Sequence, residues 1–148
     1  MSYKRILVAI NGSEVDQEVI DLACCLAKPA KGKVFVTYVI EMERTLPLDA
    51  EVKPAMERAE QVLSAAERCA EKHDFEVTTD LLQARAVGPA LVSEATEREV
   101  DLLIMGMTYK TKFGEFSLGE IAPYVLKHAP CRVMLLREPV ATAAALKP

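Results

Sequence analysis

The stretch Arg5-Ile6-Leu7-Val8-Ala9-Ile10-Asn11-Gly12-Ser13 decides the fold. Its apolar run is continuous rather than alternating, which suits a strand buried on both faces. Asn11-Gly12-Ser13 then turns the chain. Ser13, with Asp16 three residues on, reads as a helix N-cap followed by an acidic first turn. Val15, Val19, Leu22, Ala23, Leu26 and Ala27 follow at helical spacing and form one apolar stripe. Pro29 and Gly32 end that helix, and Lys33 to Ile40, rich in β-branched and aromatic residues, reads as the second strand.

Outward from this unit the alternation repeats. Met56, Ala59, Leu63, Ala66, Ala70 and His73 mark a long amphipathic helix. Phe75 to Leu82 reads as a third strand. Gly88-Pro89 opens a helix with proline at its first position, and Leu91, Val92 and Ala95 are its buried face. Val100 to Met105 is the fourth strand, stopped by Gly106; Met107 to Ser117 reads as a loop. Leu118, Ile121, Ala122, Val125 and Leu126 form the next stripe, with Pro123 in the first turn. Pro130 ends it, and Cys131 to Leu136 is the fifth strand. Residues 1–138 are expected to form one domain, with 139–148 a frayed tail.

Strands alternating with helices mean βαβ units, a parallel sheet and helices on both faces. For five strands the expected order is 3-2-1-4-5, with the ligand crevice at the carboxyl ends of strands one and four. Asn11-Gly12 and Gly106 fall at those two ends.

Composition narrows the function. The 148 residues are one domain's worth, and a net charge of −4 argues against a protein that works by neutralising nucleic-acid phosphates. No apolar run approaches the ~20 residues of a membrane span. Cys24, Cys25, Cys69 and Cys131 show no Cys-x-x-Cys pattern, and His73 and His128 are the only histidines, so no zinc-ligand spacing exists. The four thiols read as reduced, small and buried, in a cytoplasmic protein without a signal peptide.

The segment from Gly106 to Gly119 joins a strand to a helix, a place where backbone N–H groups and a helix terminus can receive an anion. It is neither a Walker A loop nor a dinucleotide fingerprint. Ser117 and Glu120 have capping-box spacing. Tyr109 either covers apolar surface with its ring or stacks on a base; Lys110 and Lys112 are either solvated or phosphate ligands. Arg85 reads equally as a surface salt bridge or an anion contact, and His128 as a cation suited to a helix C-terminus.

The chain resembles the universal stress protein family. The residues that carry the resemblance are Ile6 to Ser13, Tyr38-Val39-Ile40, Val100 to Gly106, Leu118-Gly119 and the run Val125-Leu126-Lys127-His128-Ala129-Pro130-Cys131-Arg132-Val133. The resemblance implies an adenine nucleotide alpha hydrolase-like, Rossmann-like α/β sheet of order 3-2-1-4-5. It also implies a homodimer through the last strand and an adenine nucleotide (ATP, ADP or AMP, with magnesium accompanying it) in the crevice. Carried over by position, Val39 would bond the base, Asn11 the ribose, and Ala9 and Ile10 would form the floor. Gly106, Thr108, Tyr109, Gly119 and Glu120 would belong to the phosphate loop.

The chain departs from the family's nucleotide-binding pattern of Gly, two residues, Gly, nine residues, Gly and Ser or Thr. Gly106 and Gly119 match the first and third glycines, but Tyr109 replaces the second and Glu120 the hydroxyl residue. Asn11 stands where the family usually has Asp, and Arg85 where glycine is common. Phe113 to Gly119 is similar to stress-protein domains attached to amino-acid permeases, which implies a transporter as protein partner. Three functions follow: a stress-response regulator that acts by ligand binding and dimerisation; a slow ATPase or nucleotidyl-transferring enzyme; or a ligand-free dimeric scaffold. No Ser/His/Asp or Cys/His constellation is visible in the sequence, which favours binding over turnover.

Overall fold

A computed structural model describes residues 3–107, 111–112, 115–116 and 118–139. In chain order the elements are β1 Arg5–Ile10, α1 Val15–Ala27, β2 Lys33–Glu41, α2 Lys53–Glu71, β3 Thr78–Ala84, α3 Val87–Glu97, β4 Leu102–Met107, β5 Thr111–Lys112, β6 Glu115–Phe116, α4 Ile121–His128 and β7 Arg132–Arg137. A single 3-10 turn, Lys28–Ala30, follows α1. The main sheet is β3-β2-β1-β4-β7, all parallel, which is the expected 3-2-1-4-5 order with β7 as fifth strand.

Alternation along β1 divides the core into two layers. Ile6, Val8 and Ile10 join α1, α2 and β4's Leu102 and Ile104 on one face. Leu7 joins Phe35, Leu91, Leu103 and Val125 on the other, beneath α3 and α4. Ile6, Leu7 and Val8 have no solvent exposure. Each such side chain contributes roughly 1.5–3 kcal/mol of burial. A third small cluster, Ile40, Met42 and Ala59, lies under the connection between β2 and α2.

Several boundaries differ from the sequence expectation, and two share one cause. β3 starts at Thr78, not Phe75, because Phe75 N–H donates to Ala70 C=O and still belongs to the turn that closes α2. β4 starts at Leu102, not Val100, because Val100 N–H donates to Ala95 C=O in the same way. Gly32 N–H to Ala27 C=O closes the first helix likewise. The residue before each of these, Lys31, Asp74 and Glu99, is left-handed, with φ of 51°, 52° and 51°. The helix C-termini are thus Schellman-type closures built without glycine at the left-handed position. Glycine punctuation could not reveal them.

Other corrections are local. α2 ends at Glu71, so His73 lies past the helix. Pro89 is the third residue of α3, not the first. Gly106 lies inside β4 instead of stopping it, and the fifth strand spans Arg132–Arg137. Part of the segment read as a loop is a small antiparallel hairpin, β5 with β6. The tail from residue 140 lies outside the described residues.

Candidate functional site

The carboxyl edge of the sheet assembles the site. Ala9 pairs with Thr37 on one side and Met105 on the other, at the centre of the sheet. One and two residues further along, Ile10 and Asn11 end β1, while Val39 and Gly106 continue β2 and β4. β1 sends its crossover to the α1 face, and β4 sends its own to the α4 face. The two connections diverge between adjacent strands, which makes this edge the topological switch point. Because β4 and β7 are parallel, α4 starts at this same edge, with Gly119 and Glu120 immediately before it.

The turn after β1 is held by side chains, though not as its sequence suggests. Glu14 occupies the N-cap position of α1 and makes no side-chain cap, and Ser13 Oγ is buried without a hydrogen-bond partner among the described residues. The carboxylate of Asp16, within the first helical turn, instead accepts Gly12 N–H at 2.7 Å and Asn11 N–H at 3.3 Å. Asn11 Oδ1 accepts Ser13 N–H at 3.0 Å. Burial raises the Asp16 pKa; the two N–H groups and the Arg58 guanidinium oppose that rise. Gly12 adopts φ +86°, and a Cβ there would stand 2.5 Å from Arg58 Nη2. The left-handed turn and the arginine above it both require glycine.

The other site residues separate by face. Ala9 and Val39 are partly buried and point toward α3 and α4. Ile10 points the opposite way into the α1–α2 layer and is only 6% exposed, so it is not a floor shared with Ala9. Gly106 serves packing: a Cβ would meet Val15 Cγ1 at 2.6 Å and Val19 Cγ2 at 2.8 Å. Gly119 has φ +70°, and among the described residues no heavy atom lies within 4 Å of where its Cβ would stand. Glu120 is the N-cap residue of α4, exposed, with no side-chain cap bond. The capping box is therefore not formed from Glu120 at the third helical position. Thr108, Tyr109, Lys110, Phe113 and Ser117 lie outside the described residues, as does the side chain of Lys112.

Arg85 forms no salt bridge among the described residues; it is engaged with backbone carbonyls. Its guanidinium donates to Glu43 C=O and to Leu46 C=O, the latter at 2.8 Å. Gln83 Nε2 donates to Leu48 C=O at 2.9 Å and Ala50 C=O at 2.8 Å. Together they strap the β2–α2 connection against the end of β3, fixing the wall beside Val39. Sequence reading missed Gln83 and Arg58, and read Asp16 only as an acidic residue of the first helical turn. Arg58 lies on the charged face of an amphipathic helix, where nothing in the periodicity distinguishes it from a solvated residue.

A cleft of about 460 Å³ runs between α1 and α2 and opens at Gly12 and Ser13. Asp21 lies at one side of these helices, where it receives His73 Nε2 at 2.7 Å and Cys69 Sγ at 3.3 Å. Burial and the Asp21 hydrogen bond push the Cys69 thiol up to about 11, which disfavours the thiolate that a nucleophile needs. Cys24 is buried and pushed to about 11 as well, by burial first. All four cysteines are free, and Cys25 is exposed, against the expectation that each is buried. Among the described residues no three His, Cys, Asp or Glu side chains gather to hold a metal. Among them, too, no helix is long and apolar enough to cross a membrane.

An open, doubly wound α/β sheet with its crevice at the β1/β4 switch defines a class of small ligand-binding domains. Within that class the chain belongs to the universal stress protein family, whose model matches residues 2–137. A universal stress protein of Methanocaldococcus jannaschii is 28% identical over 143 residues, covering 93% of this chain and 84% of the relative. The structure of the universal stress protein from Archaeoglobus fulgidus in complex with dAMP superposes with a TM-score of 0.72 at 21% identity, covering 91% of this chain and 98% of that one. A family member from Arabidopsis thaliana with AMP bound gives 0.65 at 12% identity, with 98% and 99% covered.

Proposed function

We propose that this chain is an adenine-nucleotide-binding regulator that acts through occupancy of the β1/β4 crevice and through dimerisation, not turnover. The observation that carries the reading is the convergence of Ala9, Asn11, Val39, Gly106 and the start of α4 on one edge of the sheet. The AMP and dAMP complexes of family members sharing this fold support it. The backbone of Val39 suits the base, because Gln83 and Arg85 fix the wall next to it. Magnesium, where present, would arrive with the phosphates.

The dimer would form through β7, the last strand in the order of the described sheet. A two-fold pairing of this strand with its own copy extends the sheet. A transporter partner rests on the sequence of Phe113 to Gly119, and a cytoplasmic setting on the free thiols.

Native mass spectrometry of the purified protein, followed by calorimetry with AMP, ADP and ATP, tests the reading. A dimer that binds AMP or ADP at micromolar to millimolar concentration, and releases no phosphate from ATP, is expected. Absence of heat with all three nucleotides makes the protein a scaffold. Hydrolysis above the buffer blank that disappears in Gly119→Val makes it an enzyme. A monomer by light scattering at tens of micromolar removes the dimer.

A further inference from the structure

The sugar end of the crevice offers donors, and its carboxylate and amide oxygens each already accept one N–H. Asn11 Oδ1 accepts Ser13 N–H, and the Asp16 carboxylate accepts the N–H groups of Asn11 and Gly12. The Asn11 amide nitrogen and the Arg58 guanidinium, both on exposed residues, have no hydrogen bond or ion pair among the described residues. The guanidinium lies over Gly12, its Cζ 3.2 Å from where a Cβ would stand. Ribose hydroxyls at such an edge would compete with those N–H groups for the remaining lone pairs of Asn11 and Asp16, and would leave the guanidinium charge unanswered. A group rich in acceptor oxygens fits it better.

Room and charge agree with this. The α1–α2 cleft opens beside Gly12, so a substituent on the sugar can extend into it rather than into packed core. Its lining carries Arg68 and Lys72, ten and fourteen positions beyond Arg58, together with Glu14 and Asp16. Asp16, which feels the Arg58 charge, is turned onto its two N–H groups. At the opposite end, Glu120 places an exposed carboxylate at the start of α4. Arg58 thus places a positive charge at the sugar edge, and Glu120 a negative charge where a 5′-phosphate chain would run.

Resting on the nucleotide reading above, we propose that the ligand class is an adenosine phosphorylated on the ribose 2′ or 3′ oxygen, and that Arg58 reads that phosphate. Arg58 is exposed on α2 and makes no hydrogen bond or ion pair among the described residues, so its replacement should leave the protein folded. Calorimetry on the full chain would use adenosine, 5′-AMP, 2′-AMP and 3′-AMP as probes. At least one of 2′-AMP and 3′-AMP is expected to bind fivefold or more tightly than adenosine. Arg58→Gln should abolish that advantage, Arg58→Lys should retain part of it, and 5′-AMP should shift by less than twofold in both. Equal weakening of all four probes in Arg58→Gln would overturn the assignment. Binding of adenosine and 5′-AMP with no gain from the sugar phosphates would also overturn it, leaving the nucleotide reading intact. Failure of all four probes to bind would remove both.

Discussion

Gly106 lies so close to Val15 that a methyl group on its Cα would stand 2.6 Å from Val15 Cγ1. The first glycine of the family's loop pattern is here a packing glycine, allowing α1 to seat on β4. Gly106→Ala should cost about 1–3 kcal/mol of stability through overpacking. Val15→Ala alone should also destabilise, by leaving a void. Together the two changes should cost less than their sum, since each relieves the other's fault. Urea denaturation of the four proteins in this cycle checks the coupling; strict additivity would mean that the helix shifts without resistance.

The amino-terminal side of the sheet is held by Arg98. Its Nη2 donates to both carboxylate oxygens of Asp80 at 2.8 Å, and its Nε donates to Glu94 at 3.0 Å. The guanidinium carbon lies 4.7 Å from the centre of the Phe35 ring, and Arg98 C=O accepts Arg5 Nε at 2.6 Å. The Glu94 hydrogen bond is the first cause of the raised Arg98 pKa. Arg98→Met keeps most of the stem's packing but leaves the Glu94 carboxylate, only 10% exposed, without its cation. We expect a loss of roughly 2–3 kcal/mol, below that of a fully buried pair because Arg98 is itself part-exposed. Glu94→Gln in the same background should recover part of the loss in thermal melts.

The thiols give a pH prediction whose sign is fixed. Cys24 and Cys69 are pushed from 9.0 to about 11, burial being the first cause in both. Between those values the unfolded chain releases protons that the native state retains, so stability falls as pH rises. The loss is on the order of 2 kcal/mol for each buried thiol. Cys24→Ala should flatten the alkaline limb of stability against pH, even where it lowers stability at pH 7. With an aromatic disulfide reagent at pH 8, Cys25 should react at once, while Cys24 and Cys69 should wait for unfolding. Rapid labelling of all four would mean that the α1–α2 layer opens freely.

The sheet order was legible because its signal is redundant: five apolar runs alternate with helical stripes, and crossover rules leave few topologies. Element ends were less legible wherever tertiary contacts extend them. Phe75 and Val100 have strand-like neighbours in sequence but serve the Schellman-type closures behind Asp74 and Glu99. The site was legible along β1, β2 and β4, where topology alone places residues at the carboxyl edge. It was not legible where a role depends on which long side chain reaches across. Arg85 braces a loop instead of meeting an anion, and Arg58 stands over Gly12 from a helix more than forty positions away. Ser13 has the residue type of a cap, yet Asp16 holds the turn because a carboxylate can receive two N–H groups at once.

Glu120 provides the most discriminating test of the phosphate end. Its side chain is exposed at the N-cap of α4. At about 4 Å from a phosphate charge it would repel by ~1 kcal/mol in water and ~4 kcal/mol in a half-shielded site. Glu120→Ser together with Tyr109→Gly restores the family pattern and should tighten ATP by at least tenfold, which is about 1.4 kcal/mol. Because Glu120 makes no side-chain cap, serine there supplies a bond that α4 lacks, worth about 1 kcal/mol. The lost attraction of the carboxylate to the helix terminus offsets roughly 0.3–0.5 kcal/mol of that gain. Unliganded Tm should therefore hold or rise in Glu120→Ser, separating the effect on affinity from any effect on folding. If Glu120→Ser alone weakens binding, and only with magnesium present, the carboxylate is a metal ligand and the native ligand a metal–nucleotide complex. Unchanged affinity in both variants would move the phosphates away from Gly119.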